Sequence, residues 1–188
     1  MIIEDLINAL SAQDKEVFDS LWVRKEFKKN DFLQVEGRVA DKLFLIEKGY
    51  CRSHFLKNGD DITDFFFFEN SFATDFASFY SNIPSLLNLV CEEDVTVLEI
   101  QKVNLEKLYQ QNIKFSEIGR ITAEYAFMLV EERMRLLHTE SLEIKYQWML
   151  DRFPSIFQRV PQYHIASFLG VKPQSLSRIR AKIAGKIY

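Results

Sequence analysis

The sequence predicts an α+β fold: a small antiparallel β-roll, then a long helix, then a compact helical end. Three observations carry this. Between Val23 and Ile100 the apolar residues fall in short bursts or at period two, separated by turn residues, as in strands that close into a roll or barrel. From Phe115 to His138 the period becomes helical. The last 28 residues then hold two short helical patterns split by Gly170-Val171. With 188 residues, 47% apolar and 27% charged, the chain has enough core material for a globular protein.

Along the chain, "EDLINALSAQDKEVFDSLW" spaces Leu6, Leu10, Val17, Phe18 and Leu21 as two short helices, with Ser11 as a cap for the second. The strand runs that follow are "EFKKNDFLQVEG", "DKLFLIEKGYCRSHFLKNGDDITDFFFF" and "VTVLEI". Asn58-Gly59 joins two of them as a hairpin, because both residues tolerate positive φ. Residues 1–114 form the roll, 115–139 the long helix and 140–188 the helical end. In the long helix Ile118, Ile121, Tyr125 and Met128 follow the 3–4–3 spacing of a coiled-coil seam. The same stripe would also suit a helix packed on its own roll. "SLEIKYQWMLDRF" is a further helix, capped by Ser141, favoured by Glu143 in its first turn and stopped before Pro154.

The most specific signal is "PQYHIASFLGVKPQSLSRIRAKI". Ala166 supplies the small residue that crossed helices need, Gly170 the turn, and Ile165, Leu169, Val171, Leu176 and Ile179 the apolar anchors of a helix-turn-helix. Pro173 fits the first turn of the second helix. Charge agrees with a nucleic-acid role. The net charge is −3, yet Val160–Tyr188 has no acid and carries Lys172, Arg178, Arg180, Lys182 and Lys186, which leaves −8 on the rest. The candidate DNA contacts are therefore Lys172, Gln174, Ser175, Ser177, Arg178, Arg180 and Lys182. Arg178 suits guanine and Gln174 adenine, while Lys172, Arg180 and Lys182 suit phosphates.

This order of parts resembles the Crp/Fnr family of bacterial transcription regulators, on "FKKNDFLQVEGRVADKLFLIEKGYCR" in the roll and "FQRVPQYHIASFLGVKPQSLSRIRAKI" at the end. The resemblance implies a cyclic-nucleotide-binding-type, jelly-roll-like β-roll, a long dimerisation helix and a C-terminal helix-turn-helix. It further implies a homodimer on double-stranded DNA acting with RNA polymerase. Gln174 and Arg178 fall where the family reads bases. Two departures stand out. Only "IAGKIY" follows "RIRAK", too short for the family's usual wing, and Lys172 stands where a Ser or Thr cap would serve the recognition helix.

By the same resemblance, "TDFASFYSNIPSLLNL", residues 74–89, occupies the cyclic-phosphate cassette. Thr74-Asp75 replaces the family's Gly-Glu pair, and no Lys or Arg occurs between Lys57 and Lys102. A phosphate there would meet Asp75 without an offsetting cation, at a cost of about 4 kcal/mol for unit charges about 4 Å apart. Cyclic AMP and cyclic GMP are therefore not expected to bind, and no cofactor is predicted. Thr74, Asp75, Phe76, Phe79, Tyr80 and Ser85 either fill the roll or line a pocket for an apolar or neutral effector.

Other chemistries are poorly represented. No nucleophile-elbow, P-loop or HExxH motif occurs. His54, His138 and His164 are scattered, and Cys51 and Cys91 are too few for a four-cysteine cluster. A haem held by a single His or Cys stays open. No metal site and no enzyme activity are expected. "MIIEDLINAL" lacks a signal's basic start and no apolar run reaches membrane length, so a cytoplasmic protein is expected. The alternative function is a ligand-sensing or interaction module whose C-terminal helices bind a partner protein.

Overall fold

The computed structural model describes residue 5 and residues 7–184. The chain forms two compact units. One runs to Phe55 and resumes from Asp64 to Glu124; the other comprises Leu56–Thr63 and the chain from Tyr125 onward.

The first unit is the roll. Its strands are β1 (Val23–Phe27), β2 (Phe32–Gln34), β3 (Lys42–Lys48), β4 (Cys51–Lys57), β5 (Asp60–Phe67), β6 (Phe72–Ala73), β7 (Asn88–Cys91) and β8 (Val95–Gln101). They make two four-stranded sheets, ordered β1-β8-β3-β6 and β2-β7-β4-β5. Period-two alternation in β3 serves two cores at once. Phe44 and Ile46 point into a core with Cys51, Phe67, Ala73, Leu89, Cys91, Val95 and Val97. Leu43 and Leu45 join a second core with Trp22, Ile100 and the surrounding helices.

Those helices are α1 (Ala12–Leu21), α2 (Phe76–Ser81), α3 (Lys102–Gln111) and the first part of α4 (Ile113–Thr139). Ser11 caps α1 as expected, its Oγ accepting from the Asp14 N–H at 3.1 Å. Of the earlier N-terminal helix, residue 5 and residues 7–10 are described: residues 5, 7 and 8 are helical, and Leu10 is buried in the second core. Asn58-Gly59 makes the expected β4–β5 turn, with φ of 55° and 88°. Helix α4 has 27 residues, about 40 Å of length. Among the described residues, no helix is long and apolar enough to cross a membrane.

The second unit contains α5 (Leu142–Arg152), α6 (Ile156–Arg159), α7 (Gln162–Phe168) and α8 (Pro173–Ala184). Ser141 caps α5 through the Ile144 N–H, and the helix ends at Phe153, before Pro154. Tyr146, Met149, Ile156, Val160, Ile165, Ala166, Phe168, Leu169 and Leu176 are buried. Each full burial of such a side chain contributes roughly 1.5–3 kcal/mol. Arg133 lays its guanidinium over the Phe168 ring at 4.2 Å and donates to the Phe168 carbonyl. The tip of the β4–β5 hairpin belongs to this unit, since the Thr63 N–H donates to Ser167 Oγ at 3.0 Å.

Candidate nucleic-acid interface and the cassette of the roll

Helix α7 ends in a Schellman motif. The Gly170 N–H donates to the Ser167 carbonyl and the Val171 N–H to the Ala166 carbonyl, which requires a left-handed residue at the turn. Gly170 supplies it with φ of 66°. Ala166 is wholly buried, as are Ile165 and Leu176, and Leu169 is buried beside them, while the other two anchors, Val171 and Ile179, are half-buried. Pro173 opens α8 without loss, since its missing N–H would be unpaired there.

The outward face of α8 follows from that packing. Gln174, Ser177, Arg178 and Ala181 are exposed and share one side of the helix, at helical spacing. Lys172 stands exposed at its start, and Ser175 is half-buried beside the anchors. Arg180 and Lys182 are placed differently. The Arg180 guanidinium lies over the Phe157 ring at 5.2 Å and donates to Gln162 Oε1 at 3.4 Å. Gln162 in turn donates to the Pro173 carbonyl at 3.1 Å. Arg180 thus braces α8 against its neighbours more than it offers a free cation, a role the charge pattern alone could not distinguish. Lys182 pairs with Glu143 at 3.1 Å on the surface. That carboxyl is held below its ordinary range by its own backbone N–H and then by Lys182. The expectation that no wing follows α8 falls on residues outside the described ones.

The expected seam of α4 divides. Ile118 is spent on the roll, buried among the second core, because it faces Phe115, Leu105 and Leu108 rather than solvent. Ile121 and Tyr125 are half-buried and Met128 is exposed. The exposed apolar line is instead Ala123, Phe127, Val130 and Met134, spaced 4–3–4, with Phe127 exposed to 70%. This is also a coiled-coil spacing. Two overlapping stripes share one helix, and sequence does not say which faces the roll.

In the cassette, Phe76–Ser81 form α2, a helix too short to show a helical period in the sequence. Asp75 caps α2, its carboxylate accepting from the Ser78 N–H at 3.1 Å and from Ser85 Oγ at 2.7 Å. Thr74 Oγ1 donates to the Lys42 carbonyl. Ser78 Oγ accepts from the Ala40 N–H and donates to the Ile83 carbonyl. Lys102 Nζ reaches the far end of α2, donating to the Phe79 carbonyl and to Asn82 Oδ1. Asp75, Ser78, Ser85 and Phe79 are all buried. The polar groups of the cassette are therefore satisfied by the protein itself, and Phe79 is core. Of the two arginines that precede the cassette in the roll between β2 and β5, Arg52 is buried against Glu92 at 2.6 Å, and Arg38, in the turn after β2, is exposed.

Phe76 and Tyr80 point elsewhere. They line a small apolar cavity of about 40 Å³ with Trp22, Leu43, Tyr109 and Phe115. Tyr80 is more than half exposed. Burial pushes the Tyr109 phenol up to about 12.

Residues 24–112 match the cyclic nucleotide-binding domain family. No curated protein matches the sequence. Several solved structures share the fold at low identity. FixK2 from Bradyrhizobium japonicum aligns over 88% of this chain and 85% of its own, with a TM-score of 0.74 and 15% identity. A CooA mutant from Carboxydothermus hydrogenoformans aligns over 97% and 84%, at 0.70 and 15%. A Eubacterium rectale chain assigned to the Crp/Fnr family of transcriptional regulators aligns over 96% and 87%, at 0.68 and 17%.

Proposed function

We propose that this chain, a cyclic nucleotide-binding-type roll followed by a helix-turn-helix in the fold of the Crp/Fnr regulators, is a DNA-binding transcription regulator. The observation that carries this is the exposed face of α8. Gln174, Ser177 and Arg178 lie side by side there, Lys172 stands at the helix start, and the segment from Val160 onward contains no acid. A helix so presented reads base edges in the major groove with its N-terminal half. Arg178 supplies a bidentate donor for guanine and Gln174 a donor–acceptor pair for adenine. Lys172 supplies charge to the phosphates.

Selection of bound sequences from random duplex DNA tests the reading. It should return a pseudo-palindrome with half-sites about 34 Å apart, and affinity should fall steeply with salt, by roughly 0.9 log units per phosphate contact per log unit of salt. Capture of no preferred sequence, with affinity insensitive to salt, would sink it and favour a protein partner for the C-terminal helices.

The active species in this reading is a homodimer, with Ala123, Phe127, Val130 and Met134 forming the seam between two copies of α4. Phe127→Glu combined with Met134→Glu should give a monomer in sedimentation velocity and lose palindrome binding while keeping the helical spectrum. An unchanged dimer would relocate the interface. Action on transcription runs through RNA polymerase, and transcription in vitro from a selected site distinguishes activation from blockage.

The roll in this reading does not respond to cyclic AMP or cyclic GMP. The support is the closed network of Asp75, Ser78 and Ser85, with a carboxylate where a phosphate would need a cation. Titration calorimetry should show no micromolar binding of either nucleotide, and a micromolar dissociation constant would overturn this part.

A further inference from the structure

The chain's two cysteines stand 40 positions apart in sequence, yet the β4–β7 ladder sets them directly opposite each other. Their sulfurs are 3.8 Å apart, and both side chains are fully buried between the sheets. The type of pairing matters. The Cys91 N–H donates to the Asp31 carbonyl and its carbonyl accepts from the Asn30 N–H, so both backbone groups turn toward β2 and away from β4. Cys51 and Cys91 are thus a non-hydrogen-bonded pair, the kind whose Cα atoms approach to about 4.5 Å with side chains close. Disulfides span Cα separations of roughly 4.4–6.8 Å. Rotation of the two side chains, with a small adjustment of the two strands, brings the sulfurs from 3.8 Å to bonding distance.

We infer that Cys51 and Cys91 are an oxidisable dithiol, converted to an intramolecular disulfide by a hydroperoxide. One thiolate attacks the peroxide oxygen; the O–O bond breaks, an alcohol or water leaves, and a sulfenic acid forms. The second thiol attacks that sulfur, the S–S bond forms and water departs. In total two thiols and one hydroperoxide give one disulfide, one alcohol (or water, for hydrogen peroxide) and one water.

Access is set by the lid over the pair. In the native sheet the Cys51 thiol is pushed up by its hydrogen bond to Cys91 and by burial, which keeps it protonated and unreactive while the sheet is closed. The backbone of Cys91 is covered by a tight turn at Asn30, with φ of 73°, and by β2, a three-residue edge strand with a register shift. Such an edge is where a sheet opens most cheaply. The oxidant must be small, and the rate follows opening of β2.

The consequence for DNA rests on the regulator reading above. Cys51 begins β4, and the distal end of the β4–β5 hairpin holds Ser167 of α7 through the Thr63 N–H and the Asp61 carbonyl. Bonding the root of this hairpin to β7 shifts the strand on which that contact depends.

The test treats the full chain with millimolar hydrogen peroxide and follows intact mass, alkylatable thiols and affinity for a selected duplex. The expected result is a loss of about 2 Da and of both thiols, reversed by dithiothreitol, with DNA affinity at least tenfold weaker while oxidised. Gln34→Pro, which should destabilise β2 pairing, should accelerate the mass change. Cys51→Ser and, separately, Cys91→Ser should each abolish it, with circular dichroism confirming that each variant folds. Two free thiols after prolonged treatment of the wild type, or sulfinic acid in place of a disulfide, would overturn the proposal. A disulfide without a change in DNA affinity would overturn its regulatory half alone. Absence of DNA binding in the reduced protein would instead count against the regulator reading.

Discussion

Gly119→Ala isolates the contact between α4 and the roll. Glycine inside a helix normally costs about 1 kcal/mol relative to alanine, so an Ala in α4 should stabilise unless something occupies its place. Something does. A Cβ at residue 119 would lie 2.4 Å from Tyr109 Oη, 2.7 Å from Cζ and 3.0 Å from Cε1. The ring of Tyr109, from α3, rests on the bare backbone of α4. Displacing it costs within the roughly 1–3 kcal/mol of overpacking. The adjoining cavity of about 40 Å³ gives it some room, which argues for about 2 kcal/mol. After the gain in helix propensity, Gly119→Ala should destabilise by about 1 kcal/mol. In a Tyr109→Ala background the obstacle is gone, and the same change should stabilise by about 1 kcal/mol. A double-mutant cycle by urea denaturation, at one fixed protein concentration because the proposed dimer would contribute to apparent stability, reads the coupling as about 2 kcal/mol. A stabilising Gly119→Ala in the wild-type background, or a coupling below about 0.5 kcal/mol, would refute the account of this glycine.

Three further outcomes are expected. Arg178→Ala should weaken specific binding by about 1–3 kcal/mol and relax one base position, whereas Lys172→Ala should weaken all sequences alike and lower the salt slope by about 1; competition binding across single-base variants separates them. Asp75→Ala removes the cap of α2 and the acceptor of Ser85, and should lower roll stability by about 1–2 kcal/mol in thermal or urea melts. The Glu132 carboxyl is held below its ordinary range by Arg152, 2.6 Å away, and further by Trp148. A carboxyl depressed in the folded state contributes stability above its unfolded pKa, and that contribution disappears as pH falls through the folded value. Glu132→Gln should therefore cost stability at neutral pH and flatten the loss of stability below about pH 4.5, the ordinary glutamate value, in melts across that range.

The helix-turn-helix was readable from sequence because its determinants are local: Ala166, Gly170 and the anchors lie within fifteen residues and each has one physical reason to be there. The Asn58-Gly59 hairpin and the caps at Ser11 and Ser141 are local in the same way. The features that sequence does not disclose depend on distant partners. Helix α2 is too short to show a period, and its cap, Asp75, is completed by Ser85 across a loop. Arg180 reads as a surface cation until Phe157 is found beneath it. Ile118 and Phe127 both fit heptads, and only the packing of Leu105 and Leu108 decides which stripe turns inward. The match of Cys51 with Cys91 follows from strand register, which no spacing of two cysteines encodes.

The β4–β5 hairpin has a practical consequence for anyone who dissects the protein. Because residues Leu56–Thr63 cluster with the helical end while the strands around them belong to the roll, the chain passes between the two units three times rather than once. Cutting after Glu124 does not release the C-terminal unit whole; the fragment lacks the segment whose Thr63 N–H meets Ser167 Oγ and whose Asp61 carbonyl accepts from it. A fragment starting at Tyr125 should thus be less stable than the same helices within the full chain. A fragment that is to stand alone needs Leu56–Thr63 grafted back through a linker, and a protease that nicks at Asn58-Gly59 would leave the two units joined through α4 but without an intact hairpin between them.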